Sequence, residues 1–134
     1  MSAVKGFIKA GVELAPLTSW RVGGQAEFYC TPRSLEEVEF AMSWAEQEGY
    51  GLTVLGGGSN VLISDAGISG LVLSMRQLVG IEVTEKGEQL RLTAMAGTHK
   101  SQLLRFFLQH RLAPALFLSG LTGDLGGGIV MNEG

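Results

Sequence analysis

The chain is poor in cysteine, in long apolar runs and in charge of one sign, and each shortage excludes something. Cys30 is the only cysteine, so no internal disulfide can form, and a reducing compartment fits. No apolar run approaches the ~20 residues of a membrane-spanning helix. The opening residues MSAVKGFIKAGVELAP lack the apolar centre of a secretory signal. The net charge is −3, from 10 basic and 13 acidic residues. The two signs are interspersed, which gives no footprint for nucleic acid or an anionic membrane. The expectation is a cytoplasmic protein with neither partner. The two histidines, His99 and His110, have no carboxylate or cysteine at metal-ligand spacing, so no metal site is expected.

What is abundant is glycine: 20 of 134 residues, roughly twice the ordinary share. The glycines show no collagen period and cluster at 56–58 and 120–128. The rest reads as one globular domain, with 46% apolar and 17% charged residues.

The local pattern is α+β, without the clean βαβα alternation of a dinucleotide-binding sheet. Glu27 to Thr31 predicts a strand closed by Pro32. Ser34 and Glu37 form an S-x-x-E capping box. It opens a helix with an apolar stripe at Leu35, Val38, Met42 and Ala45 and a stop at Gly49. Leu52 to Leu55 predicts a buried strand, Val61 to Ile63 is a short apolar run, and Leu71 to Met75 predicts another strand. Ile81–Thr84 and Leu90–Ala94 flank the turn pair Lys86-Gly87 as a hairpin. A second helix is expected over about His99 to Arg111, apolar at Leu103, Leu104, Phe107 and Leu108. Cys30 reads as a core thiol, His99 as a helix-start residue and Asp65 as a turn former. Phe106, Phe107 and Trp44 read as packing, and Arg21 as surface or cofactor-facing.

Leu52-Thr-Val-Leu-Gly-Gly-Gly-Ser-Asn-Val-Leu-Ile63 carries the strongest chemical signal. A strand delivers three glycines and two small polar residues. Glycine permits positive φ and close backbone approach to a ligand, and successive amides can form an anion-binding nest. Taken alone, the segment is equally a chain-reversing turn. It matches neither G-x-G-x-x-G nor G-x-x-x-x-G-K-[ST]. A second glycine-dense stretch runs Gly120-Leu-Thr-Gly-Asp-Leu-Gly-Gly-Gly-Ile-Val-Met-Asn132. Two such loops suit one extended dinucleotide better than one.

These residues carry a resemblance to a known family. LGGGSNVLISDAGISGLVL is similar to the LGGGSN-type motif of the UDP-N-acetylenolpyruvoylglucosamine reductases, within the vanillyl-alcohol-oxidase-like (PCMH-type) FAD fold. Leu17-Thr18-Ser19-Trp20-Arg21-Val22-Gly23-Gly24 resembles the family's N-T-x-x-x-x-G-G, with Leu17 in place of asparagine. Ala96-Gly97 resembles its A-G, and Gly120 to Gly134 resembles G-I-P-G-[TS]-V-G-G-A-x-x-M-N-A-G. The resemblance runs from about Thr18 to the end.

The resemblance implies a lead segment, residues 1–17, and part of an FAD-binding domain, residues 18–134, with short mixed or antiparallel strands and two main helices. It implies non-covalently held FAD, reduced by NADPH and passing a hydride to UDP-N-acetylglucosamine-enolpyruvate in peptidoglycan biosynthesis. The implied cofactor-binding positions are Gly56, Gly57, Gly58, Ser59, Asn60 and Val61 in the first loop. In the second they are Gly120, Thr122, Gly123, Asp124, Gly126, Gly127 and Gly128.

Three departures qualify it. Thr122 stands where the family has proline, and Asp124 puts a carboxylate where a hydroxyl is expected. If Asp124 faces the diphosphate it repels it, by about 4 kcal/mol for a unit pair at 4 Å with surface-like screening. The alternatives are an outward orientation or a turn cap. Gly128 and Glu133 replace alanines. The family's later arginine, serine proton donor and glutamate have no counterpart, so no catalytic residue is assigned and no substrate domain is expected here. The alternative is a short non-catalytic homologue that has lost flavin and serves as a binding module. A second copy or a partner would cover the face left by the missing half.

Overall fold

The computed structural model describes residues 6–58, 61–87, 89–109 and 124–130. Four strands form one sheet in the order β1-β2-β4-β3: β1 Lys9–Glu13, β2 Gln25–Cys30, β3 Leu52–Leu55 and β4 Ile68–Ser74. β1 runs antiparallel to β2, while β2 and β3 each lie parallel to the central β4. β5 Ile81–Lys86 and β6 Gln89–Ala94 make a separate antiparallel hairpin. It turns through Gly87 at φ 62°, as its alternating pattern predicts. The α+β reading holds, although β2, the following helix and β3 form one βαβ unit that the strand spacing did not reveal. β1 lies within the stretch read as a lead segment.

Helix α1, Leu35–Glu48, joins β2 to β3. Its start follows the capping box in part. Ser34 Oγ accepts from the Glu37 amide at 3.2 Å. Glu37 does not return to the Ser34 amide, however. Its Oε2 accepts from the Arg33 amide at 2.7 Å, one residue earlier. Gly49 ends the helix in the left-handed conformation at φ 77°.

The expected apolar stripe is rotated. Leu35 and Met42 are 57% and 48% exposed, while Ala41 and Ala45 are buried. Small residues let the helix approach Cys30, Leu71 and Leu73, with Val38 and Trp44 packed at the margin. Phe28 meets Trp44 edge-on at 5.1 Å and Tyr50 at 4.7 Å, so the bulk comes from the rim.

Side chains alternate across β4. Leu71 and Leu73 join the cluster under α1. Val72 joins a second cluster with Leu14, Tyr29, Leu55 and Ile63 on the other face. β3 is an edge strand and not the buried one expected, since Val54 is 59% exposed and only Leu55 is buried. Between Ala26 and Phe28 the pairing slips, β4 gaining one residue on β2. Gly70 sits at that irregularity at φ 82°.

Cys30 is a buried core thiol. Burial, with a smaller contribution from Glu37, pushes it up to about 12, so it stays protonated and unreactive near neutral pH. Among the described residues no helix is long and apolar enough to cross a membrane.

Candidate functional site

The first glycine loop leaves the end of the edge strand β3, beside the central β4. Leu55 pairs with Ser74, and the Leu55 carbonyl accepts from the Met75 amide at 2.9 Å. The chain then enters Gly56-Gly57-Gly58. Gly58 has φ +78°, and a Cβ there would strike the Leu17 carbonyl, so only glycine fits.

The loop is pinned from outside. The Gly58 carbonyl accepts from the Ser19 amide at 2.9 Å. Arg76 Nη2 donates to the carbonyls of Gly57 at 2.9 Å and Leu17 at 3.0 Å. Thr18 is buried; its Oγ1 donates to the Ala15 carbonyl at 3.2 Å and accepts from the Arg21 amide at 3.1 Å. Arg21 bends the chain at φ 55°, and the Gly24 amide donates to the Ser64 carbonyl at 2.9 Å. The Thr18–Gly24 motif therefore acts as a brace.

The second glycine stretch is anchored by the A-G motif. Gly97 packs against the Met75 carbonyl and donates to the Leu78 carbonyl at 2.9 Å. The Thr98 and Ala96 carbonyls accept from the amides of Leu125 and Gly126, each at 2.9 Å. His99 and Asp124 form an antiparallel bridge. His99 precedes helix α2, Lys100–Gln109, and its amide donates to Gln102 Oε1 at 3.0 Å, which fits the expected helix start.

Where the sequence suggests a loop throughout, residues Leu125–Val130 form a short helix, α3, that includes Gly126, Gly127 and Gly128. Glycine disfavours helix by about 1 kcal/mol per residue relative to alanine. At Gly126 the compensation is close packing: a Cβ there would lie 3.0 Å from Ala96 Cβ.

Asp124 joins the two loops. It is 5% exposed, and its Oδ1 accepts from the Gly127 amide at 3.0 Å, capping α3. A Cβ on Gly56 would lie 3.1 Å from Oδ1 and 3.3 Å from Oδ2. Among the described residues, nothing hydrogen-bonds Oδ2. The carboxylate thus caps a helix and also stands in the seam between the two glycine stretches. The outward orientation is excluded.

Beside that seam opens a cleft of about 370 Å³, lined by Gly57, Arg76, Val79, Gly97, His99, Gln102 and Asp124. Its size is that of a small-molecule site. Of the residues read from the sequence, Gly56, Gly57, Asp124, Gly126 and Gly127 are brought together. Gly58 turns toward Leu17. Val61 packs against the core cluster of Leu14, Leu55 and Ile63. Ser59, Asn60, Gly120, Thr122 and Gly123 lie outside the described residues. Arg76, Val79, His99 and Gln102 were missed as cleft residues. Arg76 lies two residues beyond β4, but its place beside Gly57 depends on the parallel β3–β4 pairing, which no local signal encodes.

A family model described as an FAD binding domain matches residues 26–134. The chain belongs to that FAD-binding family. Among the relatives of this chain is a UDP-N-acetylenolpyruvoylglucosamine reductase from Synechococcus sp. (strain JA-3-3Ab). It is 42% identical over all of this chain and 42% of its own length. The reductase from Myxococcus xanthus (strain DK1622) is 42% identical over 95% of this chain and 41% of its own. The chain thus spans about two-fifths of the length of these relatives.

The solved reductase from Thermus caldophilus superposes with a TM-score of 0.70 at 27% identity, over 96% of this chain and 44% of that one. A cholesterol oxidase from B. sterolicum gives a TM-score of 0.65 at 19% identity, over 94% of this chain and 24% of the oxidase, a likeness of fold alone. The resemblance to the FAD-binding part of the reductases and the PCMH-type fold are borne out.

The FAD of this family can be set against the seam. A guanidinium held beside Gly57 at the lining of the cleft fits a diphosphate-bearing cofactor. Asp124 is the one described residue that opposes it.

Proposed function

We propose that this chain is the flavin-binding portion of a UDP-N-acetylenolpyruvoylglucosamine reductase. The reading rests on one observation: three of the sequence motifs, at Gly57, Gly97 and Asp124, meet around one cleft, and the fourth, around Thr18 to Gly24, braces the first glycine loop from behind. The backbone of Gly57, with Gly56 beside it, would hold the diphosphate of FAD there. Arg76 holds the loop and lends positive charge. The segment around Gly126 and Gly127 closes the opposite side. Bound FAD supplies hydride transfer, in the reductases from NADPH to the enolpyruvyl group of a UDP-sugar. This chain's share is to hold and orient the cofactor and exclude water. No residue here is assigned as proton donor, so completing the reduction falls to the remainder of a reductase.

A flavin titration tests the proposal. Adding the purified chain to FAD should quench and shift the flavin spectrum saturably. A spectrum unchanged at high protein concentration would remove it.

Asp124 favours a second reading, a homologue that has lost flavin and works as a binding module. It predicts no spectral change and a self-associated or partner-bound species by ultracentrifugation.

A further inference from the structure

We propose that Asp124 sets the charge selectivity of this groove and makes the chain a weak, reversible holder of FAD; the inference rests on the FAD reading above. The carboxylate is held in place, because its Oδ1 is spent on the Gly127 amide at 3.0 Å. Releasing it would uncap α3. Oδ2 is buried and has no partner among the described residues. Among the described residues, no hydrogen bond to Oδ2 offsets its negative charge.

Both oxygens lie against Gly56, at 3.1 and 3.3 Å from the position of an added Cβ. Any diphosphate drawn to the Gly56–Gly57 amides approaches that charge. Arg76 and His99 line the same cleft, but Arg76 Nη2 is committed to the Gly57 and Leu17 carbonyls. His99 Nδ1 is paired with Ser101 Oγ at 2.7 Å. Arg76 thus fixes the loop through the carbonyls it holds. Two like charges a few ångströms apart in a partly desolvated site repel more strongly than in water.

Asparagine and threonine both serve as helix caps, so Asp124→Asn and Asp124→Thr remove the charge and leave the cap. The experiment is a fluorescence titration of FAD with the wild-type chain and both variants, with melting curves for each. Wild type is expected to bind FAD in the micromolar range or weaker. Each variant should bind it about tenfold tighter or more, at an unchanged melting temperature. FAD affinity equal to or below wild type in both variants would overturn the inference and leave the FAD reading intact. Failure of wild type and both variants to bind FAD would overturn the FAD reading, and this inference with it.

Discussion

At Gly56–Gly58 glycine frees a loop to bend and to press its backbone against Leu17, whereas at Gly126–Gly127 it strips bulk from a helix that lies on Ala96. Composition does not distinguish the two stretches; their surroundings do. The first follows a strand whose end is fixed by Ser74 and Met75. The second follows a capping residue and lies against Ala96, so that cap and packing together support a helix through glycines. A glycine run therefore reports that something comes close, and the neighbouring residues decide what form the backbone takes.

That difference can be broken by substitution. Gly58→Ala should have the largest effect, since it combines a left-handed φ with a collision against a fixed carbonyl. We expect a loss of about 3 kcal/mol, read as a fall in melting temperature of about 10 °C. Arg76→Ala should come next. It frees the Gly57 and Leu17 carbonyls, and on an exposed side chain the cost is about 1 kcal/mol in urea unfolding.

Gly126→Ala should cost less than about 1 kcal/mol. The gain in helix propensity of about 1 kcal/mol offsets part of the strain against Ala96. The same alanine that is ruinous in the first stretch is then nearly tolerated in the second. Smallest of all, Asp124→Asn should change stability by only a few tenths of a kcal/mol, whereas Asp124→Ala, without a cap, should lose about 1 kcal/mol. Equal melting temperatures for Gly58→Ala and Gly126→Ala would erase the distinction.

Much of the scaffold was legible. Ser34, Gly49 and the Lys86-Gly87 pair carry their own stereochemistry, so the start and end of α1 and the β5–β6 turn appear where the residues place them. The buried face of α1 was legible in part: Val38 and Ala45 of the expected stripe meet the core, and Leu35 and Met42 do not. Periodicity favours the larger Leu35 and Met42, yet the helix sits close enough to the sheet that Ala41 and Ala45 face it. Hydrophobicity scores side chains and not the distance between layers. Likewise Leu52 to Leu55 has the composition of a buried strand, and its edge position follows from sheet order alone.

The site divides the same way. The glycine motifs and Asp124 could be named from the chain. Arg76 and Gln102 could not, because their places depend on which strands pair and where α2 begins.

β4 is hydrogen-bonded on both sides, to β2 and to β3, and its last residue is the register partner of Leu55. The amides of Leu71 to Ser74 should therefore be the slowest in the chain to take up deuterium. The Gly56–Gly58 turn begins one residue beyond that pairing. It inherits its stillness from the most protected part of the molecule. A cofactor seated there would rest on the last element to open, and the peripheral β5–β6 hairpin could fray without disturbing it.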